Sequence, residues 1–333
     1  MNIRQNYLDL LKILAIALAL LAVPFLTTRS YIVHDVTIFM LFLAIVIYWN
    51  LIFGYGGILS LAQTAIFGFG GYAAAIVMKF AGMPTGVALL LAGLCAGIFG
   101  FVVGLACLRL RGAYVAFITL AIMVALSSII QTDLTCMFKQ EFTCSSLTGG
   151  PMGLSRFGKI DAVTLPGPLK LSYVAALLNV VVAMVFVLFV VRGVLGKALI
   201  AIRDSEKLAA ARGINRVCIH ALLFTVTSAL TGLTGGLYVA YNGTVGPAMF
   251  DFSTLTLLLT MMIVGGMGTL YGPVMGAALI YGLDFWFKDF GEWRSMLLGL
   301  VTIGAVLLMP GGISQMLENA RTRIVGGRPA DQR

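Results

Sequence analysis

The sequence predicts an all-α, polytopic membrane helical bundle, and its composition and long apolar runs are the observations that predict it. Of the 333 residues, 60% are hydrophobic and only 11% are charged, and the mean hydropathy is +1.02. A soluble domain carries about 25% charged residues, so this chain has too little charge to cover a water-facing surface. The run SYVAALLNVVVAMVFVLFVV at 172–191 is typical. In hydrocarbon, only a helix satisfies its own backbone over a run of about 20 residues.

Ten apolar segments are predicted to cross the membrane as helices of one transmembrane domain that covers residues 1–333. Each is near the length of about 20 residues that a span needs. They are 9–26, 36–53, 57–78, 86–107, 113–131, 172–191, 218–241, 252–267, 271–287 and 296–309. The third and eighth segments are rich in glycine, so we expect broken or partly re-entrant helices there.

The distribution of basic residues predicts the orientation of the chain. Loops rich in Lys and Arg face the cytoplasm in membrane proteins. With the N-terminus in the cytoplasm, fourteen of the 22 basic and five of the 13 acidic residues lie inside, so the whole net charge of +9 falls on that side. An even number of spans puts both termini there. The rule also explains the basic total without a nucleic-acid partner.

The longest outer loop is predicted to run over residues 132–171. It contains Cys136 and Cys144, which form a disulfide if the outer side is oxidising and otherwise remain free thiols. The N-terminal apolar run carries Asp9 and Lys12 and lacks a clear small-x-small cleavage site. We therefore interpret it as an uncleaved first span and not as a signal peptide.

Several kinds of chemistry find no support in the sequence. The two histidines, His34 and His220, stand alone at predicted span edges, where interfacial or capping roles are expected, and no metal site is predicted. The stretch GVLGKAL at 193–199 lacks the spacing and the hydroxyl of a phosphate-binding loop. Ion-coupled transporters need charged residues within the membrane. Here Asp284 is the main one, and it is predicted to lie at the outer interface.

Two glycine-rich clusters, at 50–76 and 262–279, occupy the two halves of the chain. Small residues let helices approach closely, and broken backbone is tolerated where it lines a cavity. For any single glycine, tight packing is therefore an alternative to a role in a pathway. Two such clusters suggest a weak internal duplication around a central pathway. Uncharged hydrogen-bonding groups accompany the first cluster and the fifth span, with capping as their alternative role: Ser60, Gln63, Thr64 and Thr119.

A charged, alanine-rich segment at 193–216 interrupts the apolar sequence and is predicted to lie in the cytoplasm. Either Asp204 or Ser205 is expected to cap a short helix that runs through Arg212. Gly213 suits the position just after that helix, where a left-handed conformation is common.

One side of this segment is predicted to dock on another protein. Ala201, Ser205 and Ala209 follow one another at i, i+4 spacing, which places them on a common helix face. Small side chains there permit close approach to a groove, and the surrounding charges set the register of docking. An ordinary solvated basic loop is the alternative.

Six stretches, taken in order, resemble one known family. They are GYGGILSLAQTAIFGFGGYAA (54–74), RLRGAYVAFITLA (109–121), TGGPMGL (148–154), GKALIAIRDSEKLAAARGIN (196–215), GGMGTLYGPVMGAAL (265–279) and MPGGI (309–313). The chain resembles the membrane subunits of branched-chain amino-acid ABC importers, closer to the M-type than to the H-type partner.

The resemblance implies a permease subunit of the bacterial cytoplasmic membrane that is not itself an enzyme. It would pair with a homologous second permease and with two ABC ATPase subunits, which would hold the ATP and Mg²⁺, and an external binding protein would deliver the amino acid. This chain would need no cofactor of its own. By resemblance, the ATPase-coupling residues are Arg203, Asp204, Ser205, Glu206, Ala209, Ala210 and Gly213. The candidate pathway residues are Ser60, Gln63, Thr64, Phe67, Thr119, Gly265, Gly266, Gly268 and Thr269.

Three other functions fit parts of the same pattern. Related permeases carry urea, short amides or ribose-type sugars, so the solute stays open. An ion-coupled secondary transporter would need an ion site and no ATPase. A membrane scaffold without transport activity is disfavoured by the paired glycine clusters.

Overall fold

The computed structural model describes residues 3–27, 29–110, 112–133, 138–140, 143–155, 157, 169–287, 291, 293–308 and 311–316. Over these residues the chain is predominantly α-helical, which confirms the predicted fold class. The α-helices in these ranges are α1 (Ile3–Leu26), α2 (Ser30–Asn50), α3 (Gln63–Phe80), α4 (Thr85–Leu108), α5 (Ala113–Thr132), α6 (Leu171–Arg192), α7 (Val194–Asp204), α8 (Glu206–Ala211), α9 (Arg216–Asn242), α10 (Phe252–Gly265), α11 (Gly272–Phe287) and α12 (Trp293–Leu308).

Six helical stretches are long and apolar enough to cross a membrane, so the chain is a multi-pass membrane protein. They are formed by α1, by α2 with the turn that follows it, and by α4, α5, α6 and α9. Each of the other predicted segments also contains a helix, but α3, α10, α11 and α12 have only 14 to 18 residues. This is less than the roughly 20 residues of a full span. The count of ten crossings therefore stays a prediction.

The third predicted span is broken, as its glycines indicated. Helix α2 continues into a π-helical turn, Leu51–Tyr55, and α3 begins only at Gln63. Between them Gly57 adopts a φ of +67°, in the left-handed region that favours glycine. The eighth segment stops in a similar way, since α10 ends at Gly265 and Gly266 has a φ of +108°. Both breaks place irregular backbone within the bundle.

Small residues bring α3, α4 and α9 into backbone contact at the centre of the bundle. A Cβ at Gly70 would lie 2.8 Å from the carbonyl carbon of Gly232. A Cβ at Gly232 would in turn collide with the Ala96 side chain, and one at Gly104 would lie 2.8 Å from the Phe224 Cβ. Side chains at these positions would force the helices apart. For Gly70 of the first glycine cluster, the contacts therefore support a role in close helix packing.

A buried ion pair fastens the first helix to the bundle. Asp9 in α1 is buried and pairs with Arg192 at the end of α6. The Tyr271 hydroxyl donates to the Asp9 carboxylate at 2.9 Å, and Lys12 lies 3.6 Å from the same oxygen. Much of the rest of α1 is exposed to its surroundings. The carboxylate of Asp9 is thus the main polar attachment of α1 among the described residues.

Replacing Asp9 with alanine is expected to loosen α1 and to lower the melting temperature of the purified protein. The substitution removes the buried carboxylate that pairs with Arg192, and breaking a largely buried ion pair by removing one partner costs about 3 kcal/mol. Lys12→Ala is the control, because this exposed ammonium forms a pair worth roughly 0–1 kcal/mol. Thermal unfolding followed by intrinsic fluorescence measures both variants. Equal melting temperatures would contradict the assigned role of Asp9.

Short strands and hydrogen bonds organise the predicted outer loop where the structure describes it. Strand β1 (Phe138–Gln140) pairs with β2 (Thr143–Ser145), and β3 (Leu154–Ser155) pairs antiparallel with β4 (Thr244–Val245), which follows α9. The second pair joins the loop to the helical bundle. Cys136 and the side chain of Cys144 lie outside the described residues, so their disulfide stays a prediction.

Candidate functional site

The charged segment at 193–216 folds as two short helices with defined caps. Ser205 separates α7 from α8 in an extended conformation, and its hydroxyl accepts from the Leu208 N–H at 3.4 Å. Of the two predicted caps, Ser205 is therefore the one used, while Asp204 ends α7. Gly213 has a φ of +77°, as expected after the helix end. Asn215 then caps α9 by accepting from the Cys218 N–H at 3.2 Å.

The predicted small-residue face does not lie on one helix. Because the chain turns at Ser205, Ala201 and Ala209 belong to different helices. Ala209 is only 3% exposed, so its side chain packs within the chain and offers no free docking surface. This corrects the prediction of a single exposed face. The three residues instead line a cavity of about 660 Å³ between α7, α8 and the start of α9.

The charges of the segment pair mainly with each other. Glu206 at the start of α8 accepts from Arg216 at 2.7 Å, which ties α8 to the first turn of α9. Arg203 lies 3.4 Å from its neighbour Asp204. Exposed pairs of this kind contribute little stability, so they position the helices more than they hold the fold. Ala210 remains exposed on the outside of α8.

Arg203 also connects this segment to the broken part of the membrane domain. Its Nη1 donates to the Gly54 carbonyl at 2.9 Å, within the π-helical turn that follows α2. The arginine stem lies against Gly57, where a Cβ would stand only 2.6 Å from the Arg203 Cγ. The absence of a side chain at Gly57 leaves room for the arginine stem, so the guanidinium can reach the Gly54 carbonyl. A movement of α7 would therefore displace the contacts that Arg203 makes with residues 51–57.

Asn50, which the sequence analysis did not single out, joins the two glycine clusters. Its Oδ1 accepts from the Gly268 N–H at 2.8 Å, and its Nδ2 donates to the Thr269 carbonyl at 2.9 Å. The side chain is 1% exposed. An asparagine at the end of an apolar span was the available signal, but its partners lie more than 200 residues away in the sequence.

The second glycine cluster forms the tight connection between α10 and α11. The Thr269 hydroxyl donates to the Gly266 carbonyl at 2.9 Å and accepts from the Gly272 N–H at 3.1 Å. It also lies 3.2 Å from the Ser314 hydroxyl. A Cβ at Gly265 would lie 2.5 Å from the Gly272 carbonyl carbon. The candidate pathway residues of this cluster thus form one compact loop, 266–271, against Asn50.

The remaining candidate pathway residues form a separate buried group around the start of α3. The Ser60 carbonyl accepts from the Trp49 indole at 2.7 Å, and the Thr119 hydroxyl accepts from the Leu61 N–H at 2.9 Å. Every side chain of this group is at most 3% exposed: Ser60, Gln63, Thr64, Phe67 and Thr119. The structure therefore brings these five residues together, while 265–269 meet Asn50 and Gly54.

Internal partners satisfy this buried group. Gln63 donates to the hydroxyl of Thr231 in α9, and the Thr64 hydroxyl lies 3.0 Å from the Met123 sulfur. Phe67 packs edge-on against Tyr238, with ring centroids 5.3 Å apart. Such contacts hold α3, α5 and α9 together in the conformation described.

A polar stripe on α9 was not predicted. Thr227, Thr231 and Thr234 are all fully buried, at spacings that put them on one helix face. The Asn179 amide of α6 donates to the Thr234 hydroxyl at 2.9 Å. The spacing of these threonines, four and three residues apart in an apolar helix, could have predicted a common buried face from the sequence. The hydrogen bonds of Thr231 and Thr234 join α9 to α3 and α6, whereas the Thr227 hydroxyl donates to carbonyls of its own helix.

Two ionisable side chains that the sequence analysis placed at span edges are buried within the bundle. Asp284 is 2% exposed and lies inside the bundle, beside a cavity of about 730 Å³ that Phe42 and Thr256 also line. It is close to the end of α11 at Phe287, so its position at the outer interface stays a prediction. His220 is 1% exposed and lies near the start of α9, which begins at Arg216, so it is at the predicted span edge but packs within the bundle. His34 lies in an exposed position, where its Nδ1 is 2.7 Å from the Tyr241 hydroxyl. Within the described ranges, no three His, Cys, Asp or Glu side chains assemble as a metal site.

Comparison with known proteins places this sequence in a family. Residues 31–306 match the family described as branched-chain amino acid transport system, permease component. The high-affinity branched-chain amino acid transport system permease protein LivM of Salmonella typhimurium (strain LT2) is 28% identical over 321 residues, which cover 92% of this chain and 75% of the relative. LivM of Escherichia coli (strain K12) shows the same identity and coverage. No solved structure gives a significant match. The chain, a multi-pass helical membrane protein, therefore belongs to the branched-chain amino acid permease family.

Proposed function

We propose that this chain is the membrane-spanning permease subunit of an ATP-driven importer for branched-chain or related amino acids. The family match over most of the chain is the observation that carries this proposal. A homologous second permease would complete the pathway, and two ABC ATPase subunits would supply ATP and Mg²⁺. An external binding protein would deliver the amino acid to the outer loops.

The segment formed by α7 and α8 is the proposed contact with the ATPases. It lies between two long apolar helices and carries the exposed residues Glu206 and Ala210. Arg203 joins it to the broken backbone at Gly54, so a push on α7 has a direct route into the membrane domain. We place this segment and both termini in the cytoplasm of a bacterial inner membrane, because the net charge of +9 lies on that side. Ala209 would act from within, by fixing α8 to its neighbours.

In this proposal the paired permeases transport the solute by alternating access. The loaded binding protein docks outside, and the paired permeases open outward to receive the solute. Closure of the ATPases then shifts α7 and α8 and turns the pathway inward. The pathway residues proposed from the sequence carry no formal charge, which suits transient passage more than tight binding.

The complex isolated from its native membrane tests the proposal. Affinity purification of the tagged chain is expected to recover two ATPase subunits and a second permease, identified by mass spectrometry. In proteoliposomes, radiolabelled leucine uptake should require ATP and the binding protein and should persist when an ionophore collapses ion gradients. Uptake that needs no ATP but is lost with the ion gradient would contradict the proposal. Competition by excess urea or ribose, but not by valine, would reassign the solute.

A further inference from the structure

The contact between Asn50 and the 266–271 loop is unusual in its geometry. One side-chain amide bonds both the N–H of Gly268 and the C=O of Thr269, at 2.8 and 2.9 Å. Both groups are backbone atoms at a break between helices, and the amide itself is 1% exposed. Each unpaired polar group in a low-dielectric interior is costly, so the two bonds hold the break in place.

The approach of the two segments depends on glycine on both sides. A Cβ at Gly54 would lie 2.8 Å from the Gly268 Cα, and Gly268 itself has a φ of +74°. These segments therefore meet backbone to backbone, with no flexible side chain between them. Because the Asn50 side chain is short and forms both hydrogen bonds, a separation of the two segments breaks both bonds together.

Arg203 holds the same turn through the carbonyl of Gly54. Gly54, whose carbonyl accepts from Arg203 at 2.9 Å, lies four residues after Asn50. The turn between them, Leu51–Tyr55, is π-helical, a local distortion that is frequent at functional sites. Withdrawal of Arg203 would let the turn change its winding and carry Asn50 away from the loop.

We propose that Asn50 is the positioning residue of an inner gate, a clamp that joins the π-helical turn to the 266–271 loop and opens when Arg203 leaves Gly54. This rests on the proposed function, because it assigns Arg203 to a segment that the ATPases move. In the closed state, Arg203 and Asn50 hold the two glycine breaks together. When α7 shifts, the Arg203 bond breaks first, and the two Asn50 bonds follow as a unit. Neither residue contacts the solute in this mechanism.

Hydrogen–deuterium exchange of the intact complex in lipid nanodiscs tests the clamp directly. Asn50→Leu keeps the side-chain volume and removes both bonds, so peptides covering 266–271 should exchange roughly tenfold faster. Asn179→Leu is the matched control, because it removes another buried amide whose partner, Thr234, lies elsewhere in the bundle. Unchanged exchange at 266–271 in Asn50→Leu, or an equal increase in Asn179→Leu, would overturn the proposal. If Asn50→Leu does not assemble, Asn50→Ser, which is too short to reach both groups, replaces it.

A double-mutant cycle tests the connection to Arg203. Arg203→Ala should also speed exchange at 266–271, and the double variant should be no faster than Asn50→Leu alone, since one clamp can be lost only once. Additive effects would overturn the relay. In the transport assay, Asn50→Leu should lose ATP-driven uptake while hydrolysis continues, and Asn179→Leu should retain both. If wild-type uptake proves independent of ATP, the proposed function fails, whereas the exchange results still decide the clamp.

Discussion

Replacing Gly276 with alanine is expected to lower the melting temperature and to abolish transport by the complex, whereas the same change at Gly282 should leave both intact. A Cβ at Gly276 would stand 2.5 Å from the Gly265 nitrogen and 2.6 Å from its Cα, and it would also collide with the Met261 carbonyl. All three are backbone atoms of α10, so no side chain can rotate away. The helices must separate, at a cost of about 3 kcal/mol for overpacking a tight contact.

Gly282 provides the control within the same helix. A Cβ there would meet nothing within 4 Å. Alanine in place of an exposed helical glycine stabilises a helix by about 0.4–1 kcal/mol, so the melting temperature should stay equal or rise slightly. Thermal unfolding and leucine uptake are measured on both variants at equal expression. Similar behaviour of the two would show that α10 and α11 do not pack as described.

Replacing Arg203 with alanine is expected to reduce ATP-driven uptake about tenfold or more while the partner ATPases continue to hydrolyse ATP. A hydrogen bond from a charged donor is worth about 1.5–3 kcal/mol, which corresponds to that loss if the bond transmits the movement. Its partner, the Gly54 carbonyl, has no other described side-chain donor within the site. Arg203→Lys should recover part of the activity, because an ammonium can still donate to a carbonyl.

Arg109→Ala is the matched control for this experiment. Arg109 is an exposed arginine at the end of α4, on the side that we predict to be cytoplasmic. Its loss removes the same charge without touching the π-helical turn. The ratio of leucine transported to ATP hydrolysed is the measurement. If both variants transport with the wild-type ratio, Arg203 has no part in coupling.

Local sequence patterns were sufficient for the helices and for several of their ends. Each predicted apolar segment contains a helix, because a long apolar run in lipid has only this way to satisfy its backbone. The cap at Ser205 and the left-handed Gly213 depend on a few neighbouring residues, and they were readable for that reason. The same local reading placed Ala209 on a docking surface. It failed there because burial depends on the approach of distant helices.

Only the tertiary structure shows that individual glycines of one cluster have different roles. Gly70 packs against Gly232, whereas Gly54 meets Gly268 and leaves its carbonyl open to Arg203. Composition alone treats these positions alike, since each lies in the same cluster. Asp284 shows the same limit: its place near a span end was readable from the sequence, but only the packing of α11 shows that it is buried.

The order of residues by itself determined that this is a helical membrane protein, where its helices lie along the chain, and which segments resemble a permease. Apolar length, charge distribution and capping depend on residues within a few turns of helix, so a short stretch of sequence is enough to predict them. Only the tertiary structure decided that Asn50 clamps Gly268 and Thr269, and that Arg203 reaches Gly54. Those partners are separated by about 150 to 220 residues, and a pairing over such a distance depends on how all the intervening helices pack.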